Sequence, residues 1–178
     1  MLNQCRICAD LGVRGDAWFL PPSGGERAIR EFIPVQGLEI PESFPDFSFL
    51  TDPASPGILL TPSASPLIDY LERKGGLQVP STEPELLHGI VEICEDVLEL
   101  AEKVVIERVG ETLVMRVEGY RLFSGCLSIA SHSPKCCTMH PCGICSLPAC
   151  LLAMGLRTPW HLEHVRFEEG RRCLVVVF

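Results

Sequence analysis

The sequence predicts an α+β protein in which one dominant helix packs on antiparallel hairpins, and three stretches carry that expectation. Thr82-Glu-Pro-Glu85 has the form of a capping box, and apolar residues follow it at 86, 87, 90, 91, 94, 97, 98 and 101, the spacing of one helix face. Residues 103–109 and 112–118 alternate around Gly110-Glu111, which predicts a hairpin. Residues 161–167 and 171–178 repeat the pattern around Glu169-Gly170.

In chain order, the first element is Cys5-Arg-Ile-Cys8, a C-x2-C pair that could join a thiolate cluster across the fold, form a redox pair, or simply pack. Between Pro21 and Pro84 lie eleven of the fifteen prolines, which exclude long helices from most of that region. The apolar runs Phe32 to Val35, Phe47 to Leu50 and Ile58 to Leu60 read as short strands. A helix over 66–74 follows from Ser65 as a cap, Pro66 at the first helical position and Gly75-Gly76 as a stop. The turn through Ser63 and Ser65 could leave backbone N–H groups for an anion, but no Gly-rich phosphate motif accompanies it, so it reads as an ordinary strand–helix turn.

On the dominant helix Cys94 shares a face with Ile90 and Val97, as a small buried hydrophobe would, while Glu92, Glu95, Glu99 and Glu102 form a solvated side. In the following hairpin the inward candidates are Val105, Leu113, Met115 and Val117. Residues 119–135 suggest a short strand near 121–123 or 126–130 and then a loop. Ser146 is expected to cap a short helix from Leu147 to Gly155 with Pro148 in its first turn. Alternation puts Cys173, Val175 and Val177 on one face of the last strand. The boundary near Gly75 to Pro80 divides a Pro-rich part, residues 1–80, packed on the same core, from the helix and hairpins of 81–178.

A chain of 178 residues with 47% hydrophobic and 21% charged residues can bury a core without staples. Its net charge of −8 and scattered Lys and Arg argue against nucleic-acid binding. The opening residues lack the form of an export leader, and no run of about 18 uninterrupted apolar residues occurs. The expectation is a cytoplasmic protein, no membrane partner, and cysteines that are reduced or metal-bound.

Chemistry concentrates in the cysteines. Five of the ten fall in CCTMHPCGICSLPAC, residues 136–150, so Cys136, Cys137, Cys142, Cys145 and Cys150 are the candidate ligands of a zinc ion or an iron–sulfur cluster in a loop before the short helix. Cys137-x4-Cys142-x2-Cys145 has the first three positions of the plant-type ferredoxin spacing, with Cys173 as a distant fourth. A local quartet of Cys136 or Cys137 with Cys142, Cys145 and Cys150 closes shorter segments and is favoured for that reason. His140 could replace one thiol, and a spare in the vicinal Cys136-Cys137 pair would be a redox sensor. A helix N-terminus beside Cys142 and Cys145 would stabilise the negative charge of their thiolates. His161 and His164, three apart on a strand, point to opposite faces and do not make a metal pair. No HExxH helix occurs, and Pro141-Cys142-Gly-Ile-Cys145 lacks the upstream His-x-Glu of a zinc deaminase, so no catalytic residue is assigned.

The hairpin at 103–118, Cys150-Leu-Leu-Ala-Met-Gly155, Glu163-His-Val-Arg-Phe and Gly170-Arg-Arg-Cys173-Leu-Val-Val together resemble the 4-vinyl reductase family of small-molecule-binding domains over the last 75 residues or so. The resemblance implies an α+β domain with an apolar ligand pocket and often a cysteine-bound metal. The functional expectation is therefore a metal-binding module that binds or senses a small apolar molecule. Its alternatives are an iron–sulfur electron-transfer protein and an accessory subunit with a structural zinc and a protein partner.

Overall fold

The structure, a computed structural model, describes residues 2–22, 28–36 and 48–178. It is an α+β fold built on antiparallel sheets. The elements run α1 (Leu2–Asp10), β1 (Trp18–Leu20), β2 (Arg30–Pro34), β3 (Phe49–Leu50), β4 (Gly57–Leu60), α2 (Ser65–Gly75) and α3 (Glu83–Glu92). A π-helical turn, Ile93–Val97, extends α3. Then come β5 (Lys103–Val109), β6 (Thr112–Glu118), α4 (Phe123–His132), α5 (Cys136–Met139), α6 (Gly143–Leu156), β7 (Trp160–His161), β8 (His164–Glu168) and β9 (Cys173–Val177).

One sheet has the order β3-β4-β2-β1-β7 and the other β5-β6-β9-β8. The first sheet draws on both ends of the chain, since Trp18 pairs with His161. Between the sheets lies α6, whose residues 145–153 and 155 are buried. It packs on β1, β7, α2 and α3. Its Ile144, Cys145 and Pro148 also share a small void with Met115, Val117, Leu174 and Val176 of the second sheet. A helix apolar on every side must be enclosed on every side, and α2 and α3 together with the two sheets provide that. By length and composition alone 136–156 would pass for a membrane span, yet 72% of its most apolar 18-residue window is buried inside the fold.

Several local expectations change for identifiable reasons. In the hairpin, Val104 pairs with Val117 and Ile106 with Met115, so Val104 rather than Val105 faces the core with Leu113, Met115 and Val117. Val105 pairs with Arg116 on the outer face. The wider π turn rotates the residues after Glu92, which buries Ile93 and Cys94 and turns Val97 outward to 54% exposure. Thr82 caps α3 by position only; its hydroxyl donates to Glu85 Oε2 at 2.6 Å. Residues 123–132 are helical, not extended. The helix α6 starts at Gly143, four residues earlier than Ser146 capping implies, with Pro148 inside it. It ends at Arg157 (φ 57°), so Gly155 does not stop it. An added Cβ at Gly155 would stand 2.5 Å from the Pro80 carbonyl oxygen, and that approach is what calls for glycine there. The strand expected at Phe47 to Leu50 starts outside the described residues; β3 covers Phe49 and Leu50.

Candidate metal centre

Three elements meet where α5 turns into α6, and each brings sulfur. Cys126 comes from α4, Cys137 from α5, Cys142 occupies the N-cap of α6, and Cys145 lies in its first turn. These four line one cavity of about 20 Å³ whose remaining walls are Ile129, Val165 and Phe167. The edge-to-face contact of Phe123 with Phe167, centroids 5.8 Å apart, holds α4 against β8. Tyr120, fully buried, places its hydroxyl 3.5 Å from Cys126 Sγ.

Electrostatics single out one sulfur. The Cys142 thiol is held far below its ordinary range by Cys126, then by Cys145, and by the backbone N–H groups of Cys145 and Ile144 at the start of α6. Its neighbours move the other way. Cys126 and Cys145 are raised, in both cases first by Cys142, and burial pushes Cys137 up to about 11.

A second sulfur group lies beside the first. Cys5 and Cys8, three residues apart on α1 and so on one face, are both buried. Burial and then Cys136 push Cys5 up to about 12, while burial, Glu31 and Cys136 raise Cys8. The vicinal pair is thereby divided: Cys136 goes with α1, and Cys137 faces the cavity.

A buried relay fixes the corner between the groups. His140 Nδ1 stands 2.7 Å from Glu31 Oε1, and Nε2 stands 3.3 Å from Ser63 Oγ. His140 is 3% exposed and Glu31 0%. With Nδ1 protonated, the ring donates to the carboxylate and accepts from the serine. Burial raises the Glu31 carboxyl, and His140 opposes that rise. The order serine, histidine, carboxylate is that of a hydrolase triad. Here, however, it is the sequence neighbours Thr61 and Ser65 that line the adjacent 570 Å³ cavity, while the Ser63 hydroxyl is turned to His140. The relay ties the α5–α6 corner to β2.

Of the five sequence candidates, Cys137, Cys142 and Cys145 are brought together. Cys136 belongs with Cys5, and Cys150 is enclosed in the core, raised by burial and by Glu31. Nor do the candidates lie in one loop: Cys136 and Cys137 are in α5, and Cys145 and Cys150 are in α6. Cys173 is buried in β9, its thiol 3.8 Å from the Leu174 carbonyl oxygen, and His140 is committed to Glu31. The fourth cavity sulfur, Cys126, was missed because 119–135 read as strand and loop. Leu122, Cys126 and Ile129 at helical spacing, with Cys126 eleven residues before Cys137, were the available signal. His161 stacks on Trp18 at 4.2 Å in the first sheet, and His164 belongs to the second. The ten cysteines are unbridged. Among the described residues, no three His, Cys, Asp or Glu side chains are already arranged as a metal-holding set; the sulfurs surround a void, not a point.

A family model described as Domain of unknown function (DUF7982) matches residues 2–178, so the chain belongs to that family. No curated protein and no solved structure matches it significantly.

Proposed function

We propose that this DUF7982 chain is a cytoplasmic zinc-binding module in which Cys126, Cys137, Cys142 and Cys145 hold one ion, and that it binds or senses a small apolar molecule. The observation that carries the metal reading is the single cavity on which four sulfurs from α4, α5 and α6 open. Its volume of about 20 Å³ has room for one ion. Four sulfurs at about 2.3 Å from zinc lie about 3.8 Å from one another, which is the closure the bound set requires. The N-terminus of α6 offsets the excess negative charge, and the Tyr120 hydroxyl supplies the outer hydrogen bond that thiolate ligands use. Unbridged thiols accord with a reducing compartment.

The ligand half of the proposal rests on a second cavity of about 280 Å³, lined by Leu77, Val79, Leu86, Ile90, Ile93 and Leu151 among others. It has the apolar character of a small-molecule site and agrees with what the 4-vinyl reductase resemblance implies. The helix α6 contributes Leu151 to this cavity and Cys145 to the metal cavity, six residues apart.

Metal analysis after anaerobic purification, compared between Cys126→Ser and Cys150→Ser, tests the reading. Cys126 is nominated only by the folded arrangement and Cys150 only by the sequence. Loss of zinc in the first variant and retention in the second is expected; the reverse, or a brown wild-type protein rich in iron and sulfide, defeats the zinc reading.

A further inference from the structure

The relay at the α5–α6 corner is more than a tie needs to be. A corner held for stability alone is served as well by apolar side chains, because burying a carboxylate with an imidazole costs about what their attraction returns. Here both are enclosed, Glu31 at 0% and His140 at 3% exposure, and the chain of contacts ends on a serine that is only half-buried. Glu31 pairs with Leu60 across β2 and β4, and Ser63 follows in the turn from β4 into α2. A strand–turn–helix passage is where one large class of hydrolases holds its nucleophilic serine. The 3.3 Å from Ser63 Oγ to His140 Nε2 and the 2.7 Å from Nδ1 to Glu31 Oε1 put a base and its orienting carboxylate in line behind the hydroxyl. Nucleophile–base contacts without substrate are commonly this long.

The cavity of about 570 Å³ gives a substrate its place. Thr61 and Ser65 are in its wall, and two residues of chain span at most about 7 Å, so the Cα of Ser63, midway between them, lies within that reach of both. Ile29 and Ile68 make part of the wall apolar, while Asp69 and Glu72 repel an anion. An uncharged ester with an apolar acyl chain suits both.

We infer that Ser63, His140 and Glu31 form an acyl-transfer site for neutral carboxylic esters, with Ser63 as nucleophile, His140 as general base and Glu31 as the positioning residue that holds the imidazole. Ser63 Oγ bonds to the ester carbonyl carbon as its proton passes to His140 Nε2. The bond from that carbon to the alcohol oxygen then breaks, and His140 returns the proton to the departing alkoxide. Water repeats the sequence on the acyl-serine: its oxygen bonds to the carbonyl carbon, its proton goes to His140, and the bond to Ser63 breaks, which frees the acid and restores the hydroxyl. No oxidation state changes. The three side chains are neither in the proposed zinc set nor in the wall of the 280 Å³ cavity, so the site stands or falls separately from that reading.

The test is labelling of the full-length chain with a fluorophosphonate, located by peptide mass spectrometry, beside turnover of p-nitrophenyl butyrate. The adduct is expected on Ser63. Ser63→Ala keeps the His140–Glu31 pair and is expected to lose the adduct and at least about 10³-fold in turnover. Glu31→Gln is expected to slow labelling of the folded protein by about 10⁴-fold, as a carboxylate-to-amide change does in the serine protease triad, a loss that a purely structural tie would not produce. A wild-type chain that takes no adduct at Ser63 overturns the proposal and needs no variant to fold. Turnover that survives Ser63→Ala unchanged overturns it as well.

Discussion

Cys136 and Cys137 are neighbours in the chain and belong to different places in the molecule. Consecutive residues on a helix point about 100° apart, so the short helix α5 turns one sulfur toward α1 and the other toward α4 and α6. The group around Cys137 opens on a void walled by apolar side chains, with a helix N-terminus behind it. The group around Cys136 has a buried carboxylate instead. What the contrast teaches is that a dense cysteine run need not be one site. Backbone geometry, not sequence proximity, decides which sulfurs become neighbours.

The hardest way to break the comparison is to remove the side chain that holds both groups in place. His140→Ala removes the partner of Glu31 Oε1 in a buried pair, and such a loss costs about 3–5 kcal/mol. Urea unfolding should show that drop, with His140→Gln recovering part of it. An unchanged midpoint would mean that the relay does not pin the corner.

Next in size is the loss of the metal from the Cys137 side. A site loaded a thousandfold above its dissociation constant stabilises the fold by about 4 kcal/mol. For a chain of this length that corresponds to about 8–16 °C in Tm. Cys142→Ser should lose that increment, and a chelator should then lower the Tm of the variant less than that of the wild type. Equal chelator effects in the two proteins would place the ion elsewhere.

A smaller effect sharpens the comparison without touching a ligand. Tyr120→Phe removes the hydroxyl 3.5 Å from Cys126 and keeps the ring in the core. Affinity at the Cys137 group should fall about 10–100-fold, as other outer-partner losses do. If competition with a chelator shows no change, the hydroxyl is a packing feature only.

Legibility in the sequence followed the range of the interaction. The hairpin β5–β6 was readable to the residue because its turn and alternation are local, whereas choosing Val104 over Val105 for the core needed the pairing register. The helix α4 was hidden by Ser124, Gly125, Ser128 and Ser131, poor helix formers that tertiary packing of Phe123 against Phe167 overrides. With α4 unseen, Cys126 could not be added to Cys137, Cys142 and Cys145. Of the first sheet, β2, β3 and β4 were readable as separate short strands, but β1 and the sheet itself were not, since β1 pairs with β7 across most of the chain. Glu31 was invisible as a site residue for the same reason: only the folded chain sets it against His140, which lies 109 positions away.

The last comparison sets grouped thiols against a solitary one. Cys94, on the buried side of the π turn, is raised by burial and then by Glu95 to about 12, against 9.0 ordinarily. The folded chain therefore keeps a proton that the unfolded chain releases. That contribution to stability is complete below about pH 9 and falls by about 1.4 kcal/mol for each further pH unit up to about 12. Cysteines bound to zinc are already deprotonated and add no such slope. In the zinc-loaded protein, urea midpoints measured between pH 8.5 and 10.5 should thus decline more steeply in wild type than in Cys94→Ala. Parallel lines would mean that Cys94 is also deprotonated in the fold, and that the division between metal-holding sulfurs and core sulfurs is drawn in the wrong place.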